Sequence, residues 1–112
     1  MTPFHAELAA GRWHQMPLVE QLGHVGSEIS RAIRWSAKNA ELAQRAFHRS
    51  LDLLDLTLAD PCHRKSPARL REIARAREVV VDYFTGVNQF GSTDASLQKY
   101  FDAFARASRR QV

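Results

Sequence analysis

Three groups of residues have types and spacings suited to chemistry. The first is Glu20, His24 and Glu28, at i, i+4 and i+8. On a helix they share one face, and carboxylates with imidazole are metal-ligating groups. Dimetal sites in helical bundles use Glu-x-x-His pairs completed by carboxylates from other helices. The chain contains no Glu-x-x-His. These residues are therefore expected to form a polar face, with no metal and no other cofactor. His48 and Asp52, with Arg45 and Arg49 nearby, read in the same way as an outer hydrogen-bonded face.

The second group is Cys62-His63, set among cations. Neighbouring positive charge lowers a thiol pKa, but residues adjacent in sequence do not supply a nucleophile–base geometry. An incidental loop thiol is the expectation. The Arg-x₄₋₆-His pairing of small helical ribonucleases is absent, as are a Gly-rich phosphate loop, a Gly-x-Ser-x-Gly elbow and His-Glu-x-x-His. No catalytic residue is assigned, and the chain reads as non-enzymatic.

The third group is electrostatic. The chain carries 16 Lys and Arg against 12 Asp and Glu, a net +4. Residues 61–77 hold Arg64, Lys65, Arg69, Arg71, Arg75 and Arg77 against the single acid Glu72. Cations at a helix start oppose its dipole, a mismatch of about 0.3–1 kcal/mol per exposed charge. A local conflict of this kind marks a candidate anion or nucleic-acid site. The alternative is a solvated basic end lightly paired with Asp60, Glu72 and Asp102.

The elements that must position these groups are helical. Leu18, Leu22, Val25, Ile29 and Ile33 recur at helical spacing after Pro17. Asn39 is a candidate cap for a second helix, striped by Ala43, Phe47, Leu51, Leu54 and Leu58 and stopped by Asp60-Pro61. Ser66-Pro67 opens a third, with Leu70, Ile73, Val80 and Phe84 on one side and Gly86 as its stop. Ser92-Thr93-Asp94 offers caps for a fourth, with Leu97, Phe101 and Phe104 on its inner face. The spacing predicts helices at about 17–38, 40–60, 67–85 and 94–110. Thr2-Pro3 predicts a short extra helix near 3–10 within an N-terminal arm, residues 1–15. The expected fold is a single all-α domain over residues 1–112, an antiparallel up-down four-helix bundle.

In that arrangement the start of the 67–85 helix shares a pole with the end of the 94–110 helix. The pole would collect Arg12, Arg64, Lys65, Arg69, Arg71, Arg106, Arg109 and Arg110. Arg77 falls on an apolar stripe, with Asp55, Glu28 and Glu78 bordering the same interior, which predicts a buried polar cluster holding a buried or half-buried ion pair, Asp55–Arg77 or Glu28–Arg77. Gly23, Gly26 and Ser30 let another backbone approach closely, either a neighbouring helix or a second copy of the chain. Trp35, Tyr83 and Phe90 lie off the main stripes, so Gly23, Gly26, Ser30 and Trp35 are a candidate oligomer seam.

Composition sets the outer bounds. With 112 residues, 45% hydrophobic and 25% charged, the chain is one globular domain's worth. No apolar run reaches the ~20 residues that span a bilayer, and no basic-then-apolar leader is visible. A cytoplasmic protein without a membrane partner is expected. The lone Cys62 excludes an internal disulfide.

Several segments also carry a resemblance. They are Gly26-Ser27-Glu28-Ile29-Ser30-Arg31-Ala32-Ile33-Arg34-Trp35, residues 53–61, residues 77–84, Gly91-Ser92-Thr93-Asp94 and Lys99-Tyr100-Phe101. Together they resemble a family of small, uncharacterised prokaryotic proteins of about one hundred residues. The likeness runs from Trp13 to Arg106 and implies an intact helical domain with no catalytic signature to carry over. Three functions follow as expectations. The first is an interaction module that self-associates, with a dimer favoured. The second is a nucleic-acid or polyanion binder using the basic pole. The third is a small enzyme with a polar pocket at Glu28, Asp55, Arg77 and Glu78.

Overall fold

A computed structural model of the chain describes residues 11–110, with the side chain of Arg110 left out. The helix expected near 3–10 lies outside the described residues. Within them the structure is all-helical and contains no strand. A 3₁₀ turn at Trp13–Gln15 leads into α1 (Leu18–Trp35), α2 (Ala40–Leu58), the short α3 (Pro61–Arg64), α4 (Pro67–Thr85) and α5 (Asp94–Arg110). No helix is long and apolar enough to cross a membrane among the described residues.

Local chemistry sets the helix starts. Asn39 accepts a hydrogen bond from the Leu42 N–H at 3.1 Å to open α2. Ser66 does the same for the Arg69 N–H at 3.3 Å, with Pro67 at the first helical position of α4. Ahead of α5, Thr93 and Ser96 form a reciprocal capping box, Ser96 N–H to Thr93 Oγ1 at 3.0 Å and Thr93 N–H to Ser96 Oγ at 2.8 Å. The expected loop after Asp60 is instead the one-turn helix α3. Asp60 caps it by accepting from the Cys62 N–H at 2.9 Å, and Pro61 fits its first position.

The core draws on all four long helices. It is built from Leu22, Val25, Ile29 and Ala32 of α1, Ala46, Phe47, Leu53 and Leu54 of α2, Ile73, Ala76 and Val80 of α4, and Leu97 and Phe101 of α5, with Trp13 beside them. Of the expected α2 stripe, which Leu53 and Leu56 widen, Phe47, Leu53 and Leu54 are buried, but Ala46, Ser50 and Thr57 are buried beside them while Leu51, Leu56 and Leu58 are only partly buried. Ser50 and Thr57 remain satisfied because their hydroxyls donate to the carbonyls of Phe47 (2.6 Å) and Leu53 (2.8 Å).

Backbones come closest between α1 and α2 and between α1 and α5, and α4 rests on α2. Along α1, later residues meet earlier ones of both neighbours. Gln21 meets Asp60 and Glu28 meets Arg49; Gly23 faces Ala105 and Gly26 faces Phe101. On the other side of α2, Phe47 stacks on Phe84 with ring centroids 5.2 Å apart.

The glycines of α1 correct the expected oligomer seam. A Cβ on Gly26 would lie 2.6 Å from the Cβ of Phe101, and one on Gly23 would lie 3.4 Å from the Ala105 Cα. The close approach they permit is that of α5 in the same chain, so Gly23 and Gly26 are not available to a second copy. Ser30 and Trp35 are partly buried farther along α1.

The loop between α4 and α5 is held by its own polar groups. The Asp82 carboxylate accepts from the N–H groups of Gln89 (2.9 Å) and Phe90 (3.1 Å). The Asn88 amide both donates to and accepts from the Ser92 backbone, each at 2.9 Å. The left-handed residues here are Asn88 (φ 57°) and Gly91 (φ 64°). Gly86 ends α4 in extended backbone instead, at φ −100°.

Candidate functional site

The first region with polar order is buried. It lies where the 3₁₀ turn, the start of α1 and the α2–α3 junction meet. Gln21 is fully buried, and Asp60 and His63 are each 2% exposed. The Gln21 amide nitrogen donates to the Trp13 carbonyl and to Asp60 Oδ2, both at 2.9 Å. Its Oε1 lies 2.6 Å from His63 Nε2, which in turn stands 3.5 Å from Asp60 Oδ2. Beside this, the Trp13 indole N–H donates to Thr57 Oγ1 at 3.1 Å, and His14 Nε2 meets the Leu56 carbonyl at 3.3 Å. His63 Nδ1 is buried without a partner among the described residues. Burial lowers the His63 pKa from its ordinary 6.5; the Asp60 charge opposes this, and Arg69 and His14 reinforce it.

Sequence reasoning missed this network. It treated Asp60 as a helix stop and His63 as a loop residue. One signal was available, since Gln21 and Thr57 are polar residues embedded among apolar helix positions, and buried polar side chains require partners.

The second region is a cleft of about 940 Å³ bordered by the 3₁₀ turn, α1 and α2. Trp13, Met16 and Leu53 form its apolar part, Arg12, Glu28, Arg31 and Arg49 its charged part, and His24 stands beside them. Glu28, 5% exposed, is clamped between the guanidinium groups of Arg31 and Arg49. The Glu20–His24–Glu28 face opens onto this cleft, with His24 4.0 Å from Glu20. No cluster of three or more metal-ligating side chains occurs among the described residues. His48 contacts Gln44 at 3.3 Å, not the expected Asp52.

The expected buried cluster of Glu28, Asp55, Arg77 and Glu78 does not assemble. Of the two expected ion pairs Asp55–Arg77 does form, at 2.8 Å, with Arg77 partly buried and Asp55 exposed (side chains 37% and 56% exposed). Glu28 spends its charge on Arg31 and Arg49, and Glu78 is exposed. The reason is geometric. Glu28 sits where α1 meets α2, whereas Arg77 reaches α2 from α4.

The third region is the basic corner where α3 passes into α4. Arg64, Lys65, Arg69 and Arg71 are all exposed. Ion pairs within 4.0 Å bring carboxylates to Arg31, Arg45, Arg49 and Arg77, and to none of these four, among the described residues. The acid nearest Arg64 and Lys65 in sequence, Asp60, is turned inward. Arg64 reaches back to the Leu58 carbonyl at 3.4 Å. Arg106 borders a shallow apolar groove on α5, and Arg109 is exposed. Cys62 is an exposed free thiol.

Set beside known protein families, curated proteins and solved structures, the chain matches none.

Proposed function

We propose that this protein is a non-enzymatic helical binding module that engages the phosphate backbone of a nucleic acid through the α3–α4 corner. One observation carries the reading: Arg64, Lys65, Arg69 and Arg71 are exposed without carboxylate partners among the described residues, while Asp60 is withdrawn from the same corner into the interior. Surplus cations on a surface release counterions from a polyanion, which is the general source of nucleic-acid affinity. Arginine forks add geometric fit to phosphate oxygens. The pairwise meetings of α1 with α2 and α5, and of α2 with α4, support an antiparallel up-down bundle. In that arrangement the end of α5 joins the same pole, and Arg106 and Arg109 extend the basic surface.

The test is fluorescence anisotropy with short labelled RNA and DNA across a salt series. Four phosphate contacts give a log–log slope of about −3 to −4. The variant Lys65→Glu with Arg71→Glu leaves the Gln21 network and the Leu58 contact intact. It should abolish binding while the helical circular dichroism is retained. Binding that survives the double substitution would place the contact elsewhere.

A second reading, self-association as a dimer, is favoured by a groove of about 440 Å³ along α5, lined by Tyr100, Ala103 and Phe104 and flanked by Lys99 and Arg106. Tyr100 is 40% exposed there. Tyr100→Glu should then convert a concentration-dependent dimer into a monomer in sedimentation equilibrium. A monomer at every concentration would refute it.

A further inference from the structure

The proton inventory around Gln21 has one solution. Its amide nitrogen faces two acceptors, the Trp13 carbonyl and Asp60 Oδ2, so both amide hydrogens are used. Its Oε1 must then face His63, and His63 Nε2 must be the donor. In the neutral ring this leaves Nδ1 as a bare lone pair, and that atom is buried with no partner among the described residues. An unpaired acceptor is tolerable there. A proton on Nδ1 would place a charged ring with an unmet N–H donor in the same enclosure, which is far more costly.

We propose that His63 is a proton-operated latch: neutral, it pins the Trp13 segment through Gln21, and protonated, it releases that segment and opens the wall of the adjoining cleft. The mechanical link is short. Gln21 holds the Trp13 carbonyl with the same amide that His63 orients, and the Trp13 ring is both hydrogen-bonded to Thr57 and part of the cleft. Groups facing His63 come from each neighbouring element. Asp60 at the α2–α3 junction favours the proton, while Arg69 of α4 and His14 of the 3₁₀ turn disfavour it; α1 presents the neutral amide of Gln21. Burial outweighs Asp60, so the latched ring titrates below its ordinary 6.5.

The sign follows from linkage. The released ring binds a proton more tightly than the latched ring. The latch is therefore at full strength above pH 6.5 and weakens as pH falls from there through the latched pKa. Within that window the opening constant rises by up to about tenfold per pH unit.

The experiment is hydrogen exchange of the Trp13 indole N–H by NMR, corrected for intrinsic exchange, alongside the carbon shifts of the His63 ring. It is run in a His24→Gln background, because His24 lies 5.8 Å from the Trp13 ring. Protection should fall by up to about tenfold per pH unit as pH drops from 6.5 toward the His63 titration, and level off once the ring is protonated. It should be level in His63→Gln, whose amide can still donate to Gln21. Protection that stays level from pH 6.5 down to the His63 titration would overturn the latch, as would a fall that persists in His63→Gln. Should His63→Gln not fold, the parent protein still decides. Ring nitrogen shifts at pH 8 must show the proton on Nε2, and the reverse tautomer would overturn the proposal.

Discussion

Replacing Gly23 and Gly26 separately by alanine turns the α1–α5 contact into a measurement with an internal control. Both residues lie inside α1, so each substitution gains about 1 kcal/mol of intrinsic helix propensity. Their surroundings differ. At Gly23 the new methyl would sit 3.4 Å from the nearest atom, an ordinary contact, whereas at Gly26 it would sit 2.6 Å from the Phe101 Cβ. That atom is fixed to the α5 backbone, so the helices must part. Overpacking of this kind costs about 1–3 kcal/mol. Gly23→Ala should therefore be more stable than the parent by up to about 1 kcal/mol, and Gly26→Ala unchanged to about 2 kcal/mol less stable. The gap of about 1–3 kcal/mol corresponds to several degrees in Tm at about 4–8 °C per kcal/mol for a small domain. Urea unfolding followed at 222 nm measures it directly. Equal stabilisation by the two alanines would show that α5 does not seat on Gly26 and would reopen α1 as a surface for a second copy.

Other perturbations separate buried from exposed chemistry. Thr57→Val keeps the shape but strands the Trp13 indole N–H, and should cost about 1–3 kcal/mol in urea unfolding. Asp60→Ala removes the α3 cap and one acceptor for Gln21, and should cost about 2–4 kcal/mol by the same assay. Arg77→Ala breaks a solvent-exposed pair with Asp55 and should change stability by no more than about 1 kcal/mol; a larger loss would mean the pair is buried in solution. Hydrogen bonding to Asp94 pushes the Tyr83 pKa up to about 12, so phenolate absorbance should show its ionisation well above the ordinary 10, and Asp94→Asn should bring it down.

Much of the helical order is legible because it is written in short-range chemistry. Asn39, Ser66 and Thr93 each cap the helix that follows, and a cap is a local event between residues two or three apart. The same rule, applied once more to Asp60-Pro61, would have found α3, where proline was read only as a stop. What stayed hidden depends on rotation and on distance along the chain. The α2 stripe was drawn through Phe47 and the leucines; Phe47, Leu53 and Leu54 are buried, but so are Ala46, Ser50 and Thr57, and a period of 3.6 does not choose between overlapping faces. Gln21 and His63 are 42 positions apart, so no window on the sequence contains their hydrogen bond. Arg77 did find Asp55, as helix spacing allowed, with Arg77 partly buried and Asp55 exposed, because a guanidinium at the edge of a stripe can reach water along its own stem.

The buried network and the basic corner are two consequences of one residue's orientation. A surface Asp60 would neutralise part of the charge beside it and leave Gln21 without an acceptor. Turned inward, it caps α3 and anchors Gln21, and Arg64 and Lys65 lose the carboxylate nearest to them in sequence. The two proposals are therefore coupled through Arg69, whose charge disfavours protonation of His63. A phosphate bound to Arg69 offsets that charge and makes His63 easier to protonate. By reciprocity, protonating His63 strengthens anion binding at the corner. Affinity for labelled RNA at constant salt should then rise as pH falls below 6.5, and the rise should vanish in His63→Gln. An affinity independent of pH in the parent protein, with His63 titrating over the same range, would show that the corner and the latch act separately.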